Sequence, residues 1–124
     1  LDGAHNTHGI QALCESLRRL PRPISAVFTA LKDKEIDDML ASLLEVCDHV
    51  YVTEFKFYRA ARLEDLSTSN AVIAIRDPYQ AIQAALASSA NGTCIITGSL
   101  YFISDAREVL IPRLLKELDP HDSN

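Results

Sequence analysis

Four short stretches of this sequence carry residue types that do chemistry. The first is Asp2-Gly3-Ala4-His5-Asn6-Thr7-His8-Gly9. A carboxylate such as Asp2 at a strand end can accept hydrogen bonds from both hydroxyls of a ribose. Gly3 permits a close backbone approach or a positive φ, and His5 can donate or accept a proton near neutral pH. The same residues also suit a structural turn, with Asp2 and Asn6 satisfying loop amides and His5 half buried. Spacing alone leaves both readings open. Asp2, His5 and His8 could converge as an open metal site of two imidazoles and one acid, but nothing else in the chain supports one, so no metal ligand is assigned.

The second stretch is Gly98-Ser99, a strand-to-helix turn whose backbone amides and hydroxyl could bind an anion such as a carboxylate. The alternative is that Ser99 caps its helix. The third is Lys32-Asp33-Lys34, where Lys34 could meet a phosphate or an acidic substrate, or where the three residues form a cap and a solvated turn. The fourth is Arg59 and Arg62, which follow the aromatic run Phe55, Phe57, Tyr58 and could bind an anion or decorate a loop packed by its aromatics. The sequence lacks G-x-x-x-x-G-K-[ST], G-x-G-x-x-G and G-x-S-x-G, so it contains no phosphate loop, dinucleotide fingerprint or nucleophile elbow of its own.

The elements that must hold these residues alternate between two periodicities. Ile10, Leu13, Leu17 and Leu20 recur at helical spacing, predicting a helix from about Thr7 to Leu20 that Pro21 and Pro23 stop. Ile24 to Ala30 reads as a short buried strand. Asp33 can cap the next helix, whose apolar face is Ile36, Met39, Leu40, Leu43 and Leu44. His49 to Phe55 reads as a strand, Leu63 to Leu66 as a short helix, and Ala71 to Ile75 as a strand. Asp77-Pro78 is a helix start, an acid at the cap and proline at the first helical position, and that helix runs to about Ser89. After the Asn91-Gly92 turn, Thr93 to Thr97 forms the last strand. A final helix begins near Ser99 or Leu100 and runs toward Leu115, with Pro112 kinking or splitting it. The tail Asp119 to Asn124 reads as frayed. Strands alternating with helices imply an α/β fold, a mostly parallel sheet with helices on both faces. Ligands of such sheets bind at the carboxyl ends of the strands, where Asp2–Gly9, Thr29–Lys34 and Gly98–Tyr101 fall.

Composition narrows the classes. The 124 residues suit one domain, with 48% hydrophobic and 23% charged residues. No apolar run approaches the roughly 20 residues that span a bilayer, so no membrane partner is expected. A net charge of −5 argues against nucleic acid. The short basic cluster Arg18, Arg19 and Arg22 reads as a solvated helix end. Cys14, Cys47 and Cys94 match no metal spacing and sit among apolar neighbours, as buried reduced thiols of a cytoplasmic protein would. The chain opens at Leu1, one residue ahead of its first motif, and a piece of a longer protein is the expectation.

Four segments then match a known pattern in order. L-D-G-A-H-N (Leu1 to Asn6) resembles the motif opening the C-terminal domain of folylpolyglutamate and dihydrofolate synthases, members of the Mur ligase superfamily. T-A-L-K-D-K-E-I-D-D-M-L (Thr29 to Leu40), T-E-F-K-F-Y-R-A-A (Thr53 to Ala61) and I-T-G-S-L-Y-F-I-S-D-A-R (Ile96 to Arg107) resemble later segments of the same family. Thr7 and Tyr58 stand where the family usually has proline.

The resemblance implies that residues 1–124 are a Rossmann-like Mur ligase C-terminal domain, truncated at its N-terminal edge and lacking the N-terminal P-loop ATPase domain. ATP and Mg²⁺ would bind between the two domains, the magnesium held mainly by the absent one. A folate or dihydropteroate carboxylate would be phosphorylated, and the amine of L-glutamate would then form the amide. By matching motif, Asp2 would bind the ATP ribose with Asn6 beside it. His5 and Ser99, the candidate catalytic residues, would help place glutamate or the acyl phosphate, and Lys34 and Arg59 are further substrate-binding candidates. The isolated chain would be inactive. The alternatives are a stand-alone nucleotide-binding or interaction module, or another Mur-type amino acid ligase.

Overall fold

The computed structural model describes residues 6–32, 35–57, 59–66 and 71–118. Helix α1 (Thr7–Leu17) starts where the Asn6 side chain accepts a hydrogen bond from the Gly9 amide at 2.8 Å. Thr7, in place of proline, begins it without loss. It ends three residues before the expected Leu20, because Arg19 and Leu20 donate to Ser16 and Leu17, tightening the chain ahead of Pro21. Arg18 pairs with Glu15 at 3.6 Å and Arg22 with Asp48 at 2.9 Å, the solvated helix end expected of the basic cluster.

Strand β1 (Ile24–Thr29) is buried along its whole length. Helix α2 (Ile36–Val46) has Glu35, not Asp33, at its N-cap position, with no side-chain cap bond. Its first turn gains from Asp37 and Asp38 instead, carboxylates beside the positive end of the helix dipole. Its buried face is Ile36, Met39, Leu40, Leu43 and Val46, with Leu44 packed at the rim.

Strand β2 (His49–Val52) stops short of the expected Phe55. The Thr53 amide still donates to Phe28, after which the chain bends and carries Phe55 against Phe102, ring centroids 5.6 Å apart. Helix α3 (Leu63–Leu66) and strand β3 (Val72–Ala74) follow. Helix α4 (Pro78–Ser88) starts as the sequence dictates, with Asp77 accepting from the Tyr79 amide and Pro78 at the first position.

Strand β4 (Thr93–Gly98) leads into α5 (Leu100–Asp105), a π-helical turn (Ala106–Leu110) and α6 (Ile111–Leu118). The disruption expected at Pro112 lies just before it. Proline lacks the amide that would bond Glu108 and crowds that carbonyl, so the preceding turn widens and Ile111 donates to Ala106. Tyr79 anchors α6: its hydroxyl donates to Glu117, and the Arg113 guanidinium lies 3.8 Å over its ring.

All pairings among the four strands are parallel, in the order β3-β2-β1-β4. Pleating sends Ile24, Ala26 and Phe28 to one face, where α1, α2 and α3 pack. Val27 points to the other face with Tyr51 and Ile96, under α4, α5 and α6. The sheet is therefore doubly wound. Among the described residues no helix is long and apolar enough to cross a membrane.

Cys14 and Cys47 are buried as expected, but Cys94 is only partly so, because β4 lies at a rim of the sheet. Burial pushes all three thiols up, Cys47 to about 12. A thiol raised in the folded state and ordinary in the unfolded state favours folding only while both are protonated. We therefore expect stability to fall as pH rises from about 9, the unfolded value, toward 12. Native-state alkylation near pH 8 should label Cys94 first and Cys14 and Cys47 slowly. Mass spectrometry of the labelled peptides checks the order.

Candidate functional site

From β1 the chain moves outward to β2 and β3, then returns across the sheet to place β4 on the other side of β1. The reversal puts the switch point of the sheet at the carboxyl ends of β1 and β4, the usual ligand position in such sheets. The turn out of β4 is built by close backbone approach. Gly98 has φ of 115°, and a Cβ there would lie 1.8 Å from the Thr29 carbonyl oxygen. Without a side chain the two strand ends meet, and the Ser99 amide donates to that same oxygen at 3.1 Å.

Ser99 is 3% exposed, and its hydroxyl oxygen accepts from the Tyr101 amide at 3.2 Å. It thus caps α5. On the adjoining strand end, the fully buried Thr29 hydroxyl has no hydrogen-bond partner among the described residues. Orphan polar groups are costly to bury, of order 1–3 kcal/mol, and call for a reason. This one sits at the switch point of the sheet.

The loop after β2 is pinned to the same end. Lys32 donates to the Arg59 carbonyl at 2.9 Å, and Ala61 donates to the Ala30 carbonyl at 2.8 Å. Phe57 packs on Tyr101 with centroids 4.3 Å apart, tying this loop to the helix that Ser99 caps. Between the loop and α5 runs a groove of about 1030 Å³ lined by Lys56, Phe57, Arg62, Arg76, Tyr101 and Asp105, among others. Arg76 closes one side, bonding Glu54 at 2.7 Å and Glu64 at 3.1 Å. The Glu64 carboxyl is held below its ordinary range, first by its own backbone amide and then by Arg76.

Of the six residues singled out in the sequence, three are placed. Ser99 caps α5 at the end of β4, exposed Arg59 is on the loop after β2, and Asn6 caps α1. Asp2, His5 and Lys34 lie outside the described residues, as does Tyr58. Thr29, Tyr101 and Arg76 were not singled out. For Tyr101 a signal existed in the aromatic run it joins, whereas Thr29 and Arg76 gain interest only from tertiary placement. Because Asn6 is a cap, Asn6→Ala should cost about 1 kcal/mol of stability, read as a lower unfolding midpoint.

A parallel, doubly wound sheet with a tight glycine turn at its switch point defines an α/β domain of the kind whose ligands sit at the strand ends. The model of the Mur ligase, glutamate ligase domain, matches residues 1–100, and the chain belongs to that family. The dihydrofolate synthase/folylpolyglutamate synthase of Bacillus subtilis (strain 168) is 36% identical over 116 residues, covering 89% of this chain and 27% of that protein. Folylpolyglutamate synthase of Mycobacterium tuberculosis, solved with ADP, superposes with a TM-score of 0.78 at 29% identity, over 89% of this chain and 29% of that one. A bifunctional folylpolyglutamate synthase/dihydrofolate synthase, solved with Mn, AMPPNP and L-glutamate, superposes at 0.72 with 28% identity, over 80% and 25%. The chain thus spans little more than a quarter of the length of these relatives.

Proposed function

We propose that this chain is the C-terminal domain of a folylpolyglutamate synthase, and that the full-length protein joins L-glutamate to folate at the cost of ATP. The supporting observation is the family match together with the meeting of the β1 and β4 ends, where Gly98 abuts Thr29 and the Thr29 hydroxyl is left without a partner among the described residues. ATP supplies the phosphoryl group that activates a folate carboxylate for attack by the glutamate amine.

The residues of this chain do the holding. Asp2 takes the ribose hydroxyls, with Asn6 beside it at the head of α1. Ser99, buried at the head of α5, would meet a carboxylate or phosphate oxygen of the substrate, and His5 would serve the same cleft. Arg59 and Lys34 would add positive charge for the acidic substrates. What supports a polar ligand here is the buried Thr29 hydroxyl, unpartnered among the described residues, at the end of the strand that pairs with β4. Magnesium falls to an N-terminal P-loop domain, across a cleft that both domains complete. The site of action is the cytoplasm, where the three thiols stay reduced.

Acceptor preference tests this reading. The full-length protein, given ATP, magnesium and glutamate, should lengthen folate or dihydropteroate by one glutamyl unit and leave peptidoglycan precursors untouched. The opposite preference would point to another Mur-type ligase.

A further inference from the structure

Helices α1 and α2 share one face of the sheet, and their contact is mostly apolar. Ile10, Leu13 and Leu17 of α1 lie in one cluster with Leu40, Leu43 and Val46 of α2. Close packing fixes how far apart the helices stand. It constrains sliding and tilting less, because apolar attraction has no direction. Direction comes from polar links. Midway along, the Cys14 thiol donates to the Ser42 carbonyl at 3.4 Å. At the heads of the two helices, the Thr7 hydroxyl donates to a Glu35 carboxylate oxygen at 2.5 Å, across 28 residues of sequence. Since α2 follows β1, its head lies at the carboxyl end of the sheet, and the bond to Glu35 puts the head of α1 there too.

Glu35 gives its side chain to the neighbouring helix rather than to its own. It stands at the N-cap position of α2, and its carbonyl accepts from the Met39 amide at 3.1 Å. Yet its carboxylate makes no cap bond to α2. It reaches instead to Thr7, the first residue of α1, where its charge also meets the positive end of that helix's dipole. A hydrogen bond to a carboxylate is shorter and stronger than one between neutral groups. The loop that runs into Glu35 is held on its other side by the loop after β2. The Lys32 amide donates to the Arg59 carbonyl at 2.9 Å and the Ala61 amide to the Ala30 carbonyl at 2.8 Å. Asn6 at the cap of α1, the loop after β1 and the loop bearing Arg59 are thereby connected, and the bond from Thr7 to Glu35 joins the α1 end to the rest.

We propose that Thr7 and Glu35 form a strut that holds the head of α1 in register with the loop after β1, and so sets the affinity of the full-length protein for its nucleotide. Both are positioning residues. They act through Asn6 and the head of α1 and touch no reacting atom. The inference rests on the reading that the head of α1 meets ATP, and adds to it the pair of side chains that keeps that head in place.

A double-mutant cycle in the full-length protein tests it, read by calorimetric titration with a non-hydrolysable ATP analogue and by steady-state ligation. Thr7→Val keeps the side-chain shape and removes the donor, and Glu35→Ala removes the acceptor. Each should weaken analogue binding and raise the KM for ATP roughly fivefold, the worth of one hydrogen bond. The kcat and the unfolding midpoint should stay nearly unchanged, since both side chains lie at the surface end of their helices. The double variant should be no worse than either single one, because the two residues make one bond between them. Thr7→Ser, which restores the hydroxyl, should recover the parent's affinity. Unchanged affinity in the single variants, or losses that add in the double variant, would overturn the strut and leave the ligase reading standing. So would a lower unfolding midpoint with unchanged affinity, the mark of a bond that serves folding alone. A parent protein that does not bind the analogue would overturn the ligase reading and the strut together.

Discussion

Gly98→Ala is expected to destabilise the protein by about 3 kcal/mol or more, lowering the unfolding midpoint by roughly 10 °C. Two costs add. The φ of 115° belongs to a backbone region that side-chain-bearing residues avoid. The new Cβ would also sit 1.8 Å from the Thr29 carbonyl oxygen and 2.9 Å from its carbon, backbone atoms that cannot swing aside as a side chain would. Relief requires parting the ends of β1 and β4, which breaks the bond from Ser99 to Thr29 and shifts the head of α5. Activity of the full-length protein should suffer along with stability, because the strand ends being parted carry the proposed substrate-facing residue Ser99. Denaturant unfolding of the variant checks the first effect. A midpoint within a degree of the parent would mean that the turn is not as tight as described.

The second large effect separates binding from folding. In the full-length protein, Asp2→Ala should weaken ATP binding by roughly 10- to 100-fold, the loss of one or two hydrogen bonds to a charged acceptor, with little change in the unfolding midpoint. The ribose assignment comes from the motif Leu1 to Asn6 and from the position of that motif ahead of α1. Calorimetric titration with a non-hydrolysable ATP analogue measures it. Unchanged affinity would remove Asp2 from the nucleotide site. Asn6→Ala should do the reverse to the extent that it acts as a cap, lowering stability more than affinity.

Much of this architecture is legible in the residues because local chemistry and tertiary context agree. Asp77-Pro78 can hardly do anything but open a helix, and it does. The face Ile36, Met39, Leu40, Leu43 is buried because its spacing allows only one side of a helix to meet the sheet. Where context decides, the sequence is a weaker guide. His49 to Phe55 has strand-forming residues throughout, yet the pairing lapses after Thr53 because Phe55 finds a better partner in Phe102. Cys94 is as apolar in its surroundings as Cys47, and its partial exposure follows from strand order, which no local pattern encodes. The candidate site divides the same way. Gly98-Ser99 is visible as a motif, whereas the orphaned hydroxyl of Thr29 emerges only when β4 crosses to the far side of β1.

As the C-terminal domain proposed above, this chain would be about a quarter of a glutamate ligase whose chemistry needs the rest of the protein. The direct measurement is ATP-dependent incorporation of labelled L-glutamate into folate, made with the full-length protein and with the 124-residue chain under identical conditions. The account predicts glutamyl-folate product and matching ADP release from the full-length protein, and none above background from the chain alone. Ligation by the chain alone, or a full-length protein that consumes no ATP when folate and glutamate are both present, would contradict it.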